Sequence, residues 1–435
     1  MQGILTTRTQ RIVVSLTTAI AAVGLAACGS SGPGTTSSSS SKGLTMWALN
    51  DQTILKQSVD AYNKDHPKEK ITLRLFANDD YKQKLRVAFG ANQAPDIFFS
   101  WGGGALNDYV KAGKVTSLTG STVTTDQFTP SVMESATFDG KVYGVPANGL
   151  APVVLYYNKK VLADAGVQPP KTYTELMSAV TKLKAKGVVP LSLAANSKWP
   201  TLMYEEYLLD RVGGAGMFSK IAAGDASAWT DPAVTKANQY LQDMAKAGAF
   251  GGNAESVNYD QGASTALVYT GKAAMEVMGT WEYANFAKAA PDFVKSNLGY
   301  TTFPTVPGGA GDPDSIVGNP SNFLSLNSAS KDKSAALTYL KNYVMDSQQV
   351  DAYLASGSVP PVKGLESKLA ATTSPDKPWL QFVYGLVQKS PSFQLSWDQA
   401  LPSDQADPLL TTVDKSFLRQ IPPAQFGTDM SKAGS

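Results

Sequence analysis

The residues of this 435-residue chain best suited to chemistry are flat aromatics, amides and isolated carboxylates. Trp281 in "MGTWEY", Trp397 in "SFQLSWDQALP", Trp101 at the end of "PDIFFSW" and Trp199 in "SKWPTLMYEEY" each stand at the edge of a predicted helix or strand. Asn50, Asp51 and Gln52 follow one predicted strand, and Asn78 and Asp79 follow another. Asn148, Glu282, Asn319 and Asp398 lie in turns or first helical turns. Aromatic faces bury apolar area, while planar polar side chains donate and accept hydrogen bonds in fixed directions. Together they suit non-covalent capture of a ligand with apolar faces and a polar rim. Each also has a structural alternative. Turns select Asn and Asp, helix starts select Asp, and a tryptophan at a helix start is more often core.

Reaction chemistry has thinner support. One histidine, His66 in the turn sequence "KDHPKEK", leaves no histidine cluster for a metal or a common general base. One cysteine, Cys28, excludes an intramolecular disulfide framework and multi-cysteine zinc sites. Neither clustered arginines nor a glycine nest marks an anion site. Glycoside cleavage needs two carboxylates about 5–5.5 Å or about 6.5–9.5 Å apart. Asp51, Asp79, Glu282 and Asp398 could supply them, but their spacing singles out no pair. We expect no catalytic residues, metal or cofactor.

Charge narrows the partners. Lys and Arg number 38 against 36 Asp and Glu, and Arg8 and Arg11 are the only charges before Cys28. The remaining chain is balanced, which gives no electrostatic reason to expect nucleic acid. The length predicts two domains.

The elements that must position these residues alternate. "LTMWAL" (Leu44–Leu49) reads as a strand; Ile54, Leu55, Val59 and Tyr62 then share one helical face; "KITLRLFA" alternates as a strand. A helix from Asp79, with acidic residues in its first turn, and the apolar strand "PDIFFSW" follow. This βαβ progression predicts a mostly parallel sheet, with ligands beyond the carboxyl ends of its strands. Further on come a helix over Tyr173–Lys186, the strand "VVPLSLAA", a long helical region to about Gly252, and a helix–turn–strand–helix unit ending in "MGTWEYANF". A long amphipathic helix is predicted after "SLNSASKDK". Trp47, Trp229 and Trp379 read as core.

Ahead of the body, Ile12–Ala27 is apolar and uncharged. As a helix it would span roughly 24 Å, short of the ~30 Å hydrocarbon core, and its basic–apolar–small order is that of an export signal. "Leu25-Ala26-Ala27-Cys28" resembles a bacterial lipobox, which implies cleavage before Cys28 and a lipid on its thiol. Residues 29–42, "GSSGPGTTSSSSSK", cannot build a core and read as a flexible tether reaching roughly 20 Å. Residues 1–28 are thus expected to be a lipoprotein signal. The folded body starts near Gly43, on the outer face of the cell membrane.

The body resembles the family 1 extracellular solute-binding proteins, the sugar receptors of ABC importers. The matching pieces are "APDIFFSWGG", "DGKVYGVPANGLAPVVLYYNKKVL", "YTGKAAMEVMGTWEYANF", "GNPSNFLSLNSASKDKSAALTYLKNY" and "ASGSVPPVKG", in the right order. The resemblance implies an α/β, two-lobed periplasmic-binding-protein-like fold of type II, each lobe a mostly parallel sheet flanked by helices. Crossing segments are expected near Pro146–Ala151, Val277–Trp281 and Pro320–Leu326. One lobe would be 43–147 plus 279–321, and the other 148–278 plus 322–435. The resemblance also implies a monomer that binds a di- or oligosaccharide, closes by hinge motion and serves membrane permease subunits. Trp281 would be the first stacking platform and Trp397 the second, with Trp101 and Trp199 behind them. Asn50, Asp51, Gln52, Asn78, Asp79, Asn148, Glu282, Asn319 and Asp398 would form the polar rim. "SFQLSWDQALP" and the Ser-rich spacer look most like actinobacterial receptors for xylobiose and xylo-oligosaccharides; cellobiose, chitobiose and maltose types are the alternatives.

Overall fold

A computed structural model describes residues 43–50 and 52–433. The signal segment, Cys28, the 29–42 tether and Asp51 lie outside the described residues. In chain order the strands are Leu44–Leu49 (β1), Ile71–Phe76 (β2), Ile97–Ser100 (β3), Thr137–Phe138 (β4), Lys141–Val142 (β5), Val145–Pro146 (β6) and Ala151–Asn158 (β7). Then follow Val189–Ser192 (β8), Ala273–Gly279 (β9), Leu298–Thr301 (β10), Ile316–Asn319 (β11), Phe323–Leu326 (β12) and Phe393–Leu395 (β13).

The first sheet has the order β2-β1-β3-β12-β6. Its parallel part is the predicted βαβ unit: β1 pairs with β2 from Leu44↔Ile71 to Leu49↔Phe76, and with β3 at Met46↔Ile97. The helices Thr53–Asp65 and Asn78–Gly90 make the crossovers. Leu55, Val59 and Tyr62 of the first helix are buried, as their spacing requires. Strand β12 then runs antiparallel to both β3 and β6.

The second sheet has the order β13-β11-β7-β9-β8, with β10 also on β7. Its centre, β7, is eight residues long and almost wholly buried, so it reads as an apolar run without alternation. One edge of β7 carries β9 over Val153–Tyr157; the other carries β11 at its start and β10 at its end. Both sheets are therefore mixed rather than mostly parallel. They belong to one unit, Ser41–Ser435.

Sheet membership corrects the expected lobes. β10 and β11, within 279–321, lie in the second sheet, and β12, within 322–435, lies in the first. Two expected crossings hold: β6 passes into β7 through 147–150, and β11 into β12 through 320–322. These links run side by side, with Ala147 N donating to Asn322 O at 2.8 Å and Ser321 Oγ to Asn148 O at 2.9 Å. Val277–Trp281 is not a crossing. Helix Glu282–Ala289 turns the chain back, and β10 adds to β7 in the same sheet.

The third passage lies between helix Ser347–Ala355, packed on helix Thr53–Asp65, and helix Lys377–Lys389. There Trp379 stacks on Tyr283 of the second lobe at 4.5 Å. Pairing between strands far apart in sequence decides such boundaries, and local pattern does not carry it. The long helix expected after "SLNSASKDK" is broken into Lys333–Asn342 and Ser347–Ala355. Met345, at φ 56°, takes the left-handed region between them, and Asp346 caps the second piece.

Candidate ligand-binding cleft

Between the two sheets lies a cleft of ≈ 770 Å³. One wall belongs to the second lobe and is aromatic. Strand β9 ends at Gly279, and Trp281 folds back over it. A Cβ at Gly279 would sit 2.0 Å from the Trp281 ring, so only glycine lets the indole lie against the strand end. Thr280 ties this turn to the first crossing, donating from Oγ1 to Leu150 O at 2.9 Å and from N to Pro152 O at 3.0 Å.

Trp199 opens helix Trp199–Gly213 directly after Lys198, whose φ of 60° is uncommon for a residue with a side chain. Its ring lies 4.7 Å from Tyr259 and 6.2 Å from Trp281. The Tyr259 hydroxyl accepts from Trp281 Nε1 at 2.7 Å. Trp199, Tyr259 and Trp281 thus form one braced aromatic group facing the cleft.

The opposite wall comes from the carboxyl ends of the first sheet's strands. Asn50, Gln52, Asn78 and Trp101 all line the cleft. Trp101 makes edge contacts with Phe99 at 5.2 Å and Tyr81 at 5.7 Å, and Lys82 Nζ lies 5.0 Å from its ring centre. Lys82 Nζ also donates to Asp398 Oδ2 at 2.9 Å, where Asp398 is buried. Since Asp398 stands on the second lobe's 393–400 segment, this ion pair crosses between lobes. Asp260 lines the cleft from the second lobe, and its carboxyl is pushed up by burial and by the nearby Asp79 charge.

The floor is built from the crossing segments. Asn148, Asn319 and Asn322 line it, with Gln399 beside them. Each holds a buried side-chain oxygen with no hydrogen-bond partner among the described residues. Buried amide oxygens are ordinarily paired, so four unpaired ones beside one cleft concentrate unused hydrogen-bonding capacity there.

Three expected site residues are elsewhere. Trp397 is core: its ring is fully buried, stacks on Phe218 at 4.7 Å and meets Trp229 edge-on at 5.8 Å. Its backbone N and the Ser396 hydroxyl both donate to Glu206 Oε1 at 2.7 Å. Trp397 thereby anchors the turn that presents Ser396, Asp398 and Gln399 to the cleft. Glu282 is also fully buried and faces inward, receiving Thr265 Oγ1, Tyr259 Oη at 2.8 Å and Asn285 Nδ2 at 2.9 Å. Asp79 does not line the cleft; its carboxylate accepts from Asn78 Nδ2 at 2.9 Å. Of the carboxylates weighed for cleavage, Asp79 and Glu282 are outside the cleft lining and Asp398 is held by Lys82.

Sequence reasoning missed Tyr259, Asn285, Lys288 and Asn322. Trp281, Asn285, Lys288 and Ala289 recur at helical spacing and all line the cleft, so that face was readable. Tyr259 stands in a short 3₁₀ turn with no pattern around it.

Residues 48–350 match the family model of the bacterial extracellular solute-binding proteins. The chain belongs to this family. Among relatives, this solute-binding protein is 30% identical over 275 residues to an uncharacterised ABC transporter extracellular-binding protein of Pyrococcus horikoshii, covering 59% of each chain. It is 26% identical over 336 residues to the diacetylchitobiose binding protein of Streptomyces coelicolor, covering 75% of each. The matched stretch thus spans little more than half the length of the archaeal relative.

Among solved structures, one concerned with xylan utilization by Caldanaerobius polysaccharolyticus superposes with a TM-score of 0.81 at 33% identity, covering 90% of this chain and 99% of that one. A chitin oligosaccharide binding protein superposes with a TM-score of 0.79 at 27% identity, covering 90% and 98%. The two-lobed α/β architecture is common to them. Among the described residues, no helix is long and apolar enough to cross a membrane.

Proposed function

We propose that this solute-binding protein is the lipid-anchored sugar receptor of an ABC importer. It captures a neutral di- or oligosaccharide in the cleft, closes over it by hinge motion and delivers it to permease subunits. The carrying observation is the pairing of the Trp199–Tyr259–Trp281 wall with the amide side chains of Asn148, Asn319, Asn322 and Gln399, whose oxygens have no partner among the described residues. Pyranose rings have apolar C–H faces and a rim of hydroxyls, and these two surfaces match them. A platform burying roughly 100 Å² contributes about 2.5 kcal/mol at ~25 cal/mol/Å², while micromolar binding needs about 8 kcal/mol net of association costs. Several rings and several hydrogen bonds must therefore act together, as this lining allows.

Xylobiose and short xylo-oligosaccharides are the first ligands to test, supported by the xylan-related structural neighbour. Chito-oligosaccharides are the second reading, favoured by the chitin oligosaccharide and diacetylchitobiose relatives. The lipid anchor is proposed at Cys28, and the protein is expected to act as a monomer. Calorimetric titration of the body from Gly43 with a sugar panel, followed by analysis of the recovered sugars, tests the reading. Saturable heat with intact sugar supports a receptor. Released monosaccharide points to an enzyme, and no heat with any sugar rejects the proposal.

A further inference from the structure

We infer that Glu282 is a positioning residue of the binding site, setting the Trp281 platform through the hydroxyl of Tyr259. The inference rests on the sugar-receptor reading above and deepens it. Glu282 has no exposed surface, so it cannot touch a ligand itself. Its neighbours nevertheless converge on it. Tyr259 Oη reaches Oε2 at 2.8 Å, Asn285 Nδ2 reaches the same oxygen at 2.9 Å, and Thr265 Oγ1 donates to Oε1.

The order of donors is forced. Indole and amide N–H groups only donate, and a tyrosine hydroxyl has one hydrogen and two lone pairs. Trp281 Nε1 at 2.7 Å and Asn285 Nδ2 at 3.1 Å occupy the accepting side of Tyr259. Its single hydrogen therefore goes to Glu282. The chain of bonds runs Trp281 to Tyr259 to Glu282.

Two constraints then fix the Trp281 plane: the missing side chain of Gly279 behind it and this bond at its edge. The same tyrosine ring also lies edge-on to Trp199 at 4.7 Å. A rigid, pre-oriented wall avoids ordering costs at binding.

The test is calorimetric titration with the sugar that the unmodified protein binds, on Glu282→Ala, Glu282→Gln, Tyr259→Phe, Trp281→Ala and the Trp281→Ala/Glu282→Ala double variant. Thermal melts check folding. Glu282→Ala and Tyr259→Phe should each weaken binding about tenfold. Glu282→Gln, which keeps an oxygen to accept from Tyr259, should recover to within about threefold. The double variant should bind within about twofold of Trp281→Ala alone, because the two act in series.

A folded Glu282→Ala that binds like the unmodified protein overturns the inference, and so do additive losses in the double variant. If Glu282→Ala does not fold, Tyr259→Phe decides by the same criterion. An unmodified protein that binds no sugar overturns this inference and the receptor reading together, whereas failure of the variants alone overturns only this one.

Discussion

Trp281 lies against Gly279, two residues before it, so closely that a single added methyl would stand 2.0 Å from the indole. The G-x-W turn is therefore a packing device. The strand supplies a bare backbone, the ring covers it, and the outer face of the ring is left to the cleft.

Trp281→Ala should lower sugar affinity at least tenfold, about 1.4 kcal/mol or more, while the far-ultraviolet circular dichroism stays unchanged. Isothermal titration measures it. Unaltered affinity in a folded variant would remove Trp281 from the site.

Gly279→Ala should mimic that loss without touching the aromatic itself. The new Cβ must displace the ring, so affinity should fall several-fold or more and the melting temperature should drop modestly, overpacking costing about 1–3 kcal/mol. Equal affinity would show that the orientation of the indole is unimportant.

Trp397→Ala should do the opposite. Its ring is buried between Phe218 and Trp229, so truncation should cost about 3–5 kcal/mol of stability, read by denaturant unfolding. Sugar contacts should change only through the turn that Trp397 anchors. A stable variant with direct loss of binding would return Trp397 to the platforms.

These two tryptophans mark how far the sequence could be read. The βαβ start, the helix–turn–strand unit before Trp281 and the amide-bearing ends of β1 and β2 follow from periodicity and turn chemistry. Trp281 and Trp397 both stand beside polar residues at a helix start, and nothing local separates them. What separates them is tertiary. Trp281 has a glycine behind it and a tyrosine at its edge, while Trp397 is fully buried against Phe218 and Trp229. The same limit hid the lobe assignment, because β12 returns to β3 across more than two hundred residues.

Stability should fall as pH rises from the mildly acidic range. Burial pushes the Glu206 carboxyl up to about 8, despite bonds from Ser396 and Trp397, against about 4.3 in an unfolded chain. The folded protein holds this proton more tightly. Its contribution is complete below about 4.3 and is lost as pH rises through about 8. Burial raises Glu205, Glu276 and Glu282 in the same direction. Melting temperatures should decline between about pH 5 and 9, and Glu206→Gln should flatten part of that decline. A rise across this window would contradict the assignment.

The central claim is that the aromatic wall and the amide floor hold a sugar, and a crystal structure with the tightest ligand of the panel tests it most directly. A sugar ring should lie flat on the outer face of Trp281, with hydroxyls bonded to side chains among Asn148, Asn319, Asn322 and Gln399. A sugar bound elsewhere, with those four amides untouched, would contradict the account.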